Sequence, residues 1–177
     1  MIAEKMRLNL GSRDRAIPGF LGIDCDKHDG VDLVGDVSSL NFADGSVSEI
    51  YASHVLEHFP HPKTISVLKE WARVLCHGGI LYVAVPDFER TVELYKKCGL
   101  NGWVQNYLWG DQGYATAYHY AGFDEDSLRN LALGAGFSEA SRVEDFPVGH
   151  PKDCSRKIST IDRKPVSLNM VCVRGDA

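Results

Sequence analysis

The sequence predicts an α/β fold built on a mostly parallel sheet. Three observations lead there. Five short apolar runs recur along the first half, each closed by polar or glycine residues, as buried parallel strands require. A strongly amphipathic helical segment separates the fourth run from the fifth. Two further strand-like runs close the chain, around Arg142–Phe146 and Val166–Val173.

The runs are taken in order. Met6–Leu10 ends at Gly11-Ser12-Arg13, Phe20–Ile23 at Asp24, and Val31–Val34 at Gly35-Asp36. Ile50–Ala52 leads into a histidine-rich stretch, and Ile80–Val85 ends at Pro86-Asp87. The spacing of Ile65, Leu68, Ala72 and Leu75 predicts a helix over Lys63–Cys76, with Pro62 at its start and Gly78-Gly79 after its end. A second helix is expected from the N-cap Asp87 to Lys97, and a third from about Asp124 through Leu128, Leu131 and Ala135. Parallel crossovers usually need a dozen or more residues. The first two links, Ser12–Gly19 and Cys25–Gly30, are shorter, so their helices are expected to be reduced to turns.

With 177 residues and no evident linker or repeat, residues 1–177 read as a single domain. The net charge of −5 argues against bulk binding to nucleic acid or anionic lipid. No apolar run is long enough to span a bilayer, and Met1–Arg15 holds no signal-peptide core, so a cytoplasmic location is expected. The five cysteines are scattered, without a C-x-x-C pair, and suggest neither a zinc knot nor a disulfide framework.

Ligands of open α/β sheets bind at the carboxyl ends of strands. Those ends carry Gly11-Ser12, Asp24, Asp36, His54 and Asp87. Two acids after successive strands suit a nucleoside, one accepting from ribose hydroxyls and the other from an adenine amino group. The stretch His54-Val-Leu-Glu57-His58 spells H-x-x-E-H, a zinc-peptidase pattern. It follows a strand, and Pro60 and Pro62 limit helix continuation, so no metal site is expected there. From Trp103 to Tyr120 the chain is rich in aromatic residues, expected as a substrate lid or else a satellite core or dimer surface, so a homo-oligomer stays open.

The ordered set resembles the class I S-adenosylmethionine (SAM)-dependent methyltransferases over nearly the whole chain. Leu8-Asn9-Leu10-Gly11-Ser12 looks like the first motif, Asp24 the ribose acid, and Gly35-Asp36-Val37 the adenine-side motif. Ala52–His58 looks like the stretch after strand four, and Arg73–Gly79 the run before strand five, with His77 where proline is usual. A nearer likeness is to small bacterial methyltransferases of the methyltransferase type 11-like group, often encoded among glycan-synthesis genes. It rests on Ile17-Pro18-Gly19-Phe20, Val85-Pro86-Asp87, Gly110-Asp111-Gln112 and Tyr118-His119-Tyr120.

The resemblance implies a Rossmann-like sheet with an antiparallel last strand, SAM as cofactor, and methyl transfer to a small molecule, such as a glycan or nucleotide-sugar precursor. Cofactor contacts are expected from Asn9, Leu10, Gly11, Ser12, Asp24, Cys25, Asp36, Val37, Ser53 and His54. His119, His54 and Asp87 are the candidate bases. Trp109, Gln112, Tyr118 and His119 are expected at the acceptor. The basic link holding Lys152, Arg156 and Lys157 is expected to attract an anionic one. The alternative is a catalytically inactive methyltransferase-like binding module, favoured by the shortened crossovers and by Arg13, which stands where the usual first motif carries further glycines.

Overall fold

The computed structural model describes residues 6–149 and 153–176. Seven strands form one sheet: β1 (Met6–Leu10), β2 (Leu21–Asp24), β3 (Leu33–Val34), β4 (Val47–Ser53), β5 (Leu75–Pro86), β6 (Phe137–Val143) and β7 (Ser167–Arg174). Their order is β3-β2-β1-β4-β5-β7-β6. The pairings from β3 through β5 are parallel, and β7 runs antiparallel to both β5 and β6. The expected Rossmann-like sheet with its antiparallel last strand is therefore present.

Among the described residues four α-helices accompany it: α1 (His61–Val74), α2 (Phe88–Cys98), α3 (Gly102–Trp109) and α4 (Glu125–Gly134). α1 and α4 pack on each other and on one face of the sheet, where Trp71, Leu68, Leu128 and Ile50 are fully buried. Asp87 caps α2 by accepting from the Arg90 amide, and Asp124 with Ser127 forms a reciprocal capping box at α4.

Residues 11–20 and 25–32 run as turns, without a helix. The two turns stack directly on each other. A Cβ on Gly30 would stand 2.6 Å from the Arg13 carbonyl oxygen, so only glycine permits that approach. The opposite face of the sheet is covered by loop residues, with Ile17 and Phe146 packed on Tyr51, Tyr82 and Ala84.

Several boundaries differ from expectation, and one helix was not expected. α1 stops at Val74, because Leu75 turns extended and pairs with Val47; Gly78-Gly79 then lie inside β5, beside a register shift in its pairing with β4. β6 begins at Phe137, earlier than the predicted Arg142–Phe146, and Phe146 is a loop residue packed edge-on to Tyr51 and Tyr82. The first part of the aromatic stretch is α3, capped by Asn101 and packed on α2 through Leu94 and Val104.

The loop after β3 is tied to α1 by side chains. Glu70 accepts from the Leu40 amide at 2.7 Å and from Arg73 Nε at 2.7 Å, and Arg73 donates on to the carbonyls of Leu40 and Phe42. The hydrogen bond from Arg73 holds the Glu70 carboxyl below its ordinary range. A depressed carboxyl stabilises the fold above its unfolded-state pKa, and that contribution is lost as pH falls through the folded value. Glu70→Gln is thus expected to cost about 1–2 kcal/mol at neutral pH. Urea midpoints of the two proteins should converge in acid; a gap that stays constant from neutral pH into acid would refute the ionic role.

Candidate functional site

The chain runs from β1 outward through β2 to β3, then returns to place β4 on the other side of β1. Strand order reverses there, and a crevice opens at the carboxyl ends, as open α/β sheets require. Its volume is about 1600 Å³, against roughly 300–1000 Å³ for a site holding one small ligand. Gly11, Asp24, Asp36, His54, Tyr107 and His119 are among its lining residues.

Gly11 follows β1 with φ +67°, and a Cβ there would meet the Val55 side chain at 2.5 Å. Glycine is needed both for the turn and for the packing beneath it. Asp24 ends β2 with its carboxylate almost buried; it accepts from the Arg13 amide at 3.1 Å and the Asp26 amide at 3.4 Å. Asp36 is exposed at the rim and accepts from the Ser38 amide and hydroxyl.

His54 ends β4 in the left-handed region, φ +57°, rare for a residue with a side chain. Both its ring nitrogens are engaged, Nε2 with Ser167 Oγ at 2.8 Å and Nδ1 with Glu57 Oε1 at 2.9 Å. The H-x-x-E-H stretch that follows is a single 3-10 turn, Leu56–His58. The amides of Tyr120 and Ala121 donate to the Glu57 carbonyl, docking the aromatic segment on that turn. His119 thereby stands edge-to-face with His58, ring centroids 5.0 Å apart. Burial holds the His119 imidazole below its ordinary pKa. Burial pushes the Glu57 carboxyl up, but the imidazoles of His54, His58 and His119 outweigh it and keep Glu57 below the ordinary carboxylate value.

The aromatic segment also reaches the first loop. Arg13 lies over the Tyr114 ring, 4.7 Å from its centroid, and hydrogen-bonds the Tyr114 hydroxyl. The Lys157 ammonium sits 4.9 Å from the Trp103 ring centroid and 5.7 Å from that of Tyr107.

Known proteins share this architecture. The candidate methyltransferase of Haloferax volcanii, solved with the Trm112 methyltransferase activator, superposes at TM-score 0.62 with 18% identity, over 98% of this chain and 83% of that one. A SAM-dependent methyltransferase of Methanosarcina mazei gives 0.59 with 17% identity, over 100% and 95%. The fold is that of the class I methyltransferases. A third neighbour, the 1,6-didemethyltoxoflavin-N1-methyltransferase of Burkholderia thailandensis, gives 0.59 with 13% identity over 97% and 72%, and was solved with bound S-adenosylhomocysteine. A family model described as a methyltransferase domain matches residues 20–83, from the start of β2 into β5. No curated protein sequence matches the chain. The family match covers part of the chain, and these neighbours share its fold.

Set in this methyltransferase fold, the predicted site residues divide. Gly11, Asp24, Cys25, Asp36, Val37, Ser53 and His54 all line the crevice. Asn9, Leu10 and Ser12 instead line a small recess behind Gly11, and the Asn9 amide is spent on the Arg15 carbonyl at 2.7 Å. Asp87, the third candidate base, is placed elsewhere. It lies off the crevice wall, with one carboxylate oxygen capping α2 and the other on Arg142 Nη2 at 2.8 Å.

Among the substrate residues, His119 and Lys157 line the crevice, whereas Trp109, Gln112 and Tyr118 do not. Trp109 and Tyr118 turn outward; their carbonyls serve the His119 amide and the His58 ring. Arg156 is held by Asp145 through two bonds of 2.7 Å, outside the crevice. Lys152 lies outside the described residues. Tyr107 and Tyr114, from the aromatic stretch expected as a lid, also line the crevice; Glu57, in the histidine motif, lies buried against His54, a pairing the sequence does not show.

Proposed function

We propose that this chain is a SAM-dependent methyltransferase acting on a small anionic acceptor. The observation that carries the reading is the crevice at the strand-order reversal, with a side-chain-free turn at Gly11, a nearly buried carboxylate at Asp24 and a second carboxylate at Asp36. These residues fit the cofactor: Gly11 lets backbone approach the ligand, and the two acids accept from hydroxyl and amino donors. When bound, SAM supplies a methyl group made electrophilic by its sulfonium.

The chain's own residues then align the reactants, which is the larger part of catalysis when the cofactor carries the chemistry. Arg13 and Tyr114, joined to each other, both line the crevice and tie the first loop to the aromatic segment. Lys157, backed by two aromatic rings, offers a positive charge to a phosphorylated or nucleotide-linked sugar. Asp87 and Arg156 take no part. Among the described residues no helix is long and apolar enough to cross a membrane. A cytoplasmic location is part of the proposal.

Mass spectrometry of the small molecule retained by the purified protein tests the cofactor, and methyl transfer from labelled SAM to a panel of phosphorylated acceptors tests turnover. SAM or its demethylated product should be retained, with label passing to at least one acceptor. Calorimetry showing no binding of either compound would overturn the reading. Binding without label transfer across the panel would favour the inactive module.

A further inference from the structure

The carboxylate of Glu57 is buried in the turn after β4, with His54, His58 and His119 around it. Its residue is wholly inaccessible, and Oε2 has no hydrogen-bond partner among the described residues. Among the described residues Oε1 likewise makes no hydrogen bond, and its one ion-pair contact is with His54 Nδ1 at 2.9 Å. A buried carboxylate left part-satisfied costs several kcal/mol unless a positive charge compensates it.

The neighbouring imidazoles are arranged as metal-ligating histidines usually are. His58 Nδ1 lies 2.9 Å from the Tyr118 carbonyl, and His119 Nδ1 lies 3.1 Å from the Tyr107 carbonyl. A carbonyl only accepts, so each Nδ1 carries the proton and each Nε2 keeps a lone pair. Backbone carbonyls fixing the tautomer of two histidines are the usual outer support of a metal site.

We propose that Glu57, His58 and His119 bind a divalent transition-metal ion at the wall of the crevice. One ligand atom from each lies within 4.8 Å of the others. Donors sharing one ion at about 2.0–2.2 Å stand no more than about 4.4 Å apart, so small side-chain rotations complete the set. Two imidazoles and one carboxylate suit Zn²⁺, and disfavour Mg²⁺ or Ca²⁺, which prefer all-oxygen shells. His54 does not ligate; its contact with Oε1 orients the carboxylate. Reading H-x-x-E-H alone missed this because the third ligand comes from His119, beyond α3, and His54 is not a ligand.

His58 and His119 line the crevice, so a coordination position opens toward it. An acceptor hydroxyl bound there would become more acidic, as metal-bound water does. That use rests on the methyltransferase reading; ion binding does not.

The test uses chelator-stripped full-length protein titrated with Zn²⁺ and, for its visible spectrum, Co²⁺. Elemental analysis after dialysis should find one ion per chain, and Co²⁺ should give absorption bands of nitrogen- and oxygen-ligated metal. Glu57→Gln, His58→Ala and His119→Ala should each weaken binding at least about tenfold. His61→Ala, an exposed histidine beside the turn, should bind as the wild type does. Circular dichroism of Glu57→Gln, which preserves side-chain shape, guards against mere unfolding. No stoichiometric ion in the wild type, or binding unchanged in all three variants, would overturn the site. S-adenosylhomocysteine calorimetry on the same samples separates the readings: cofactor without ion sinks only the metal site, and ion without cofactor sinks only the methyltransferase.

Discussion

Replacing Asp24 by alanine is expected to weaken S-adenosylhomocysteine binding about tenfold to a hundredfold. Asp24 offers a nearly buried carboxylate at the end of β2, facing the crevice. Hydrogen bonds to a charged acceptor contribute on the order of 1.5–3 kcal/mol, and 1.4 kcal/mol is a factor of ten. The same carboxylate also accepts from the amides of Arg13 and Asp26, so alanine loosens the first loop as well. Asp24→Asn separates the two effects. Its amide oxygen still accepts from one backbone amide, but its charge is gone. Calorimetry should therefore rank the proteins as wild type, then asparagine, then alanine. Equal affinity in all three would mean that Asp24 serves only the loop.

Much of the frame was legible because its signals are local. The Leu81–Val85 part of β5 is an apolar run buried on both faces, and Asp87 and Asp124 announce α2 and α4 as caps. The acids at strand ends could be placed on the crevice because sheet topology sends every parallel strand's carboxyl end to one edge. The shortness of the first two links was also readable, although the stacking of their turns depends on Gly30, whose role appears only in space.

What could not be read depends on partners distant in sequence. Asp87 and Arg142 are 55 residues apart, so nothing local showed that the candidate base was already paired. The bidentate hold of Asp145 on Arg156 likewise removed a cation that looked available. α3 was hidden because aromatic residues pattern poorly as helix formers, and its stability comes from Val104 packing beside Leu94 of α2. The cluster of Glu57, His58 and His119 exists only because backbone hydrogen bonds dock Tyr120 and Ala121 on the turn after β4.

The largest stability effect is expected at Trp71. Its side chain is fully buried in α1 against the sheet, and its indole Nε1 donates to the Val37 carbonyl at 2.9 Å. Trp71→Ala should cost about 3–5 kcal/mol, a large share of the 5–15 kcal/mol typical of a domain. Trp71→Phe keeps most of the apolar volume but leaves the Val37 carbonyl without its donor, at about 1–3 kcal/mol. The indole bond also has a functional consequence. Val37 and its neighbour Asp36 form the rim of the crevice, so releasing that carbonyl loosens a cofactor wall. Leu128→Ala offers the comparison, since Leu128 is equally buried but sits in α4, away from the crevice. Urea unfolding should place Leu128→Ala at or below Trp71→Phe in stability. Calorimetry at a temperature where both are folded should nevertheless show the weaker S-adenosylhomocysteine binding in Trp71→Phe. Should the two variants bind alike, Trp71 would be a core residue with no hold on the rim.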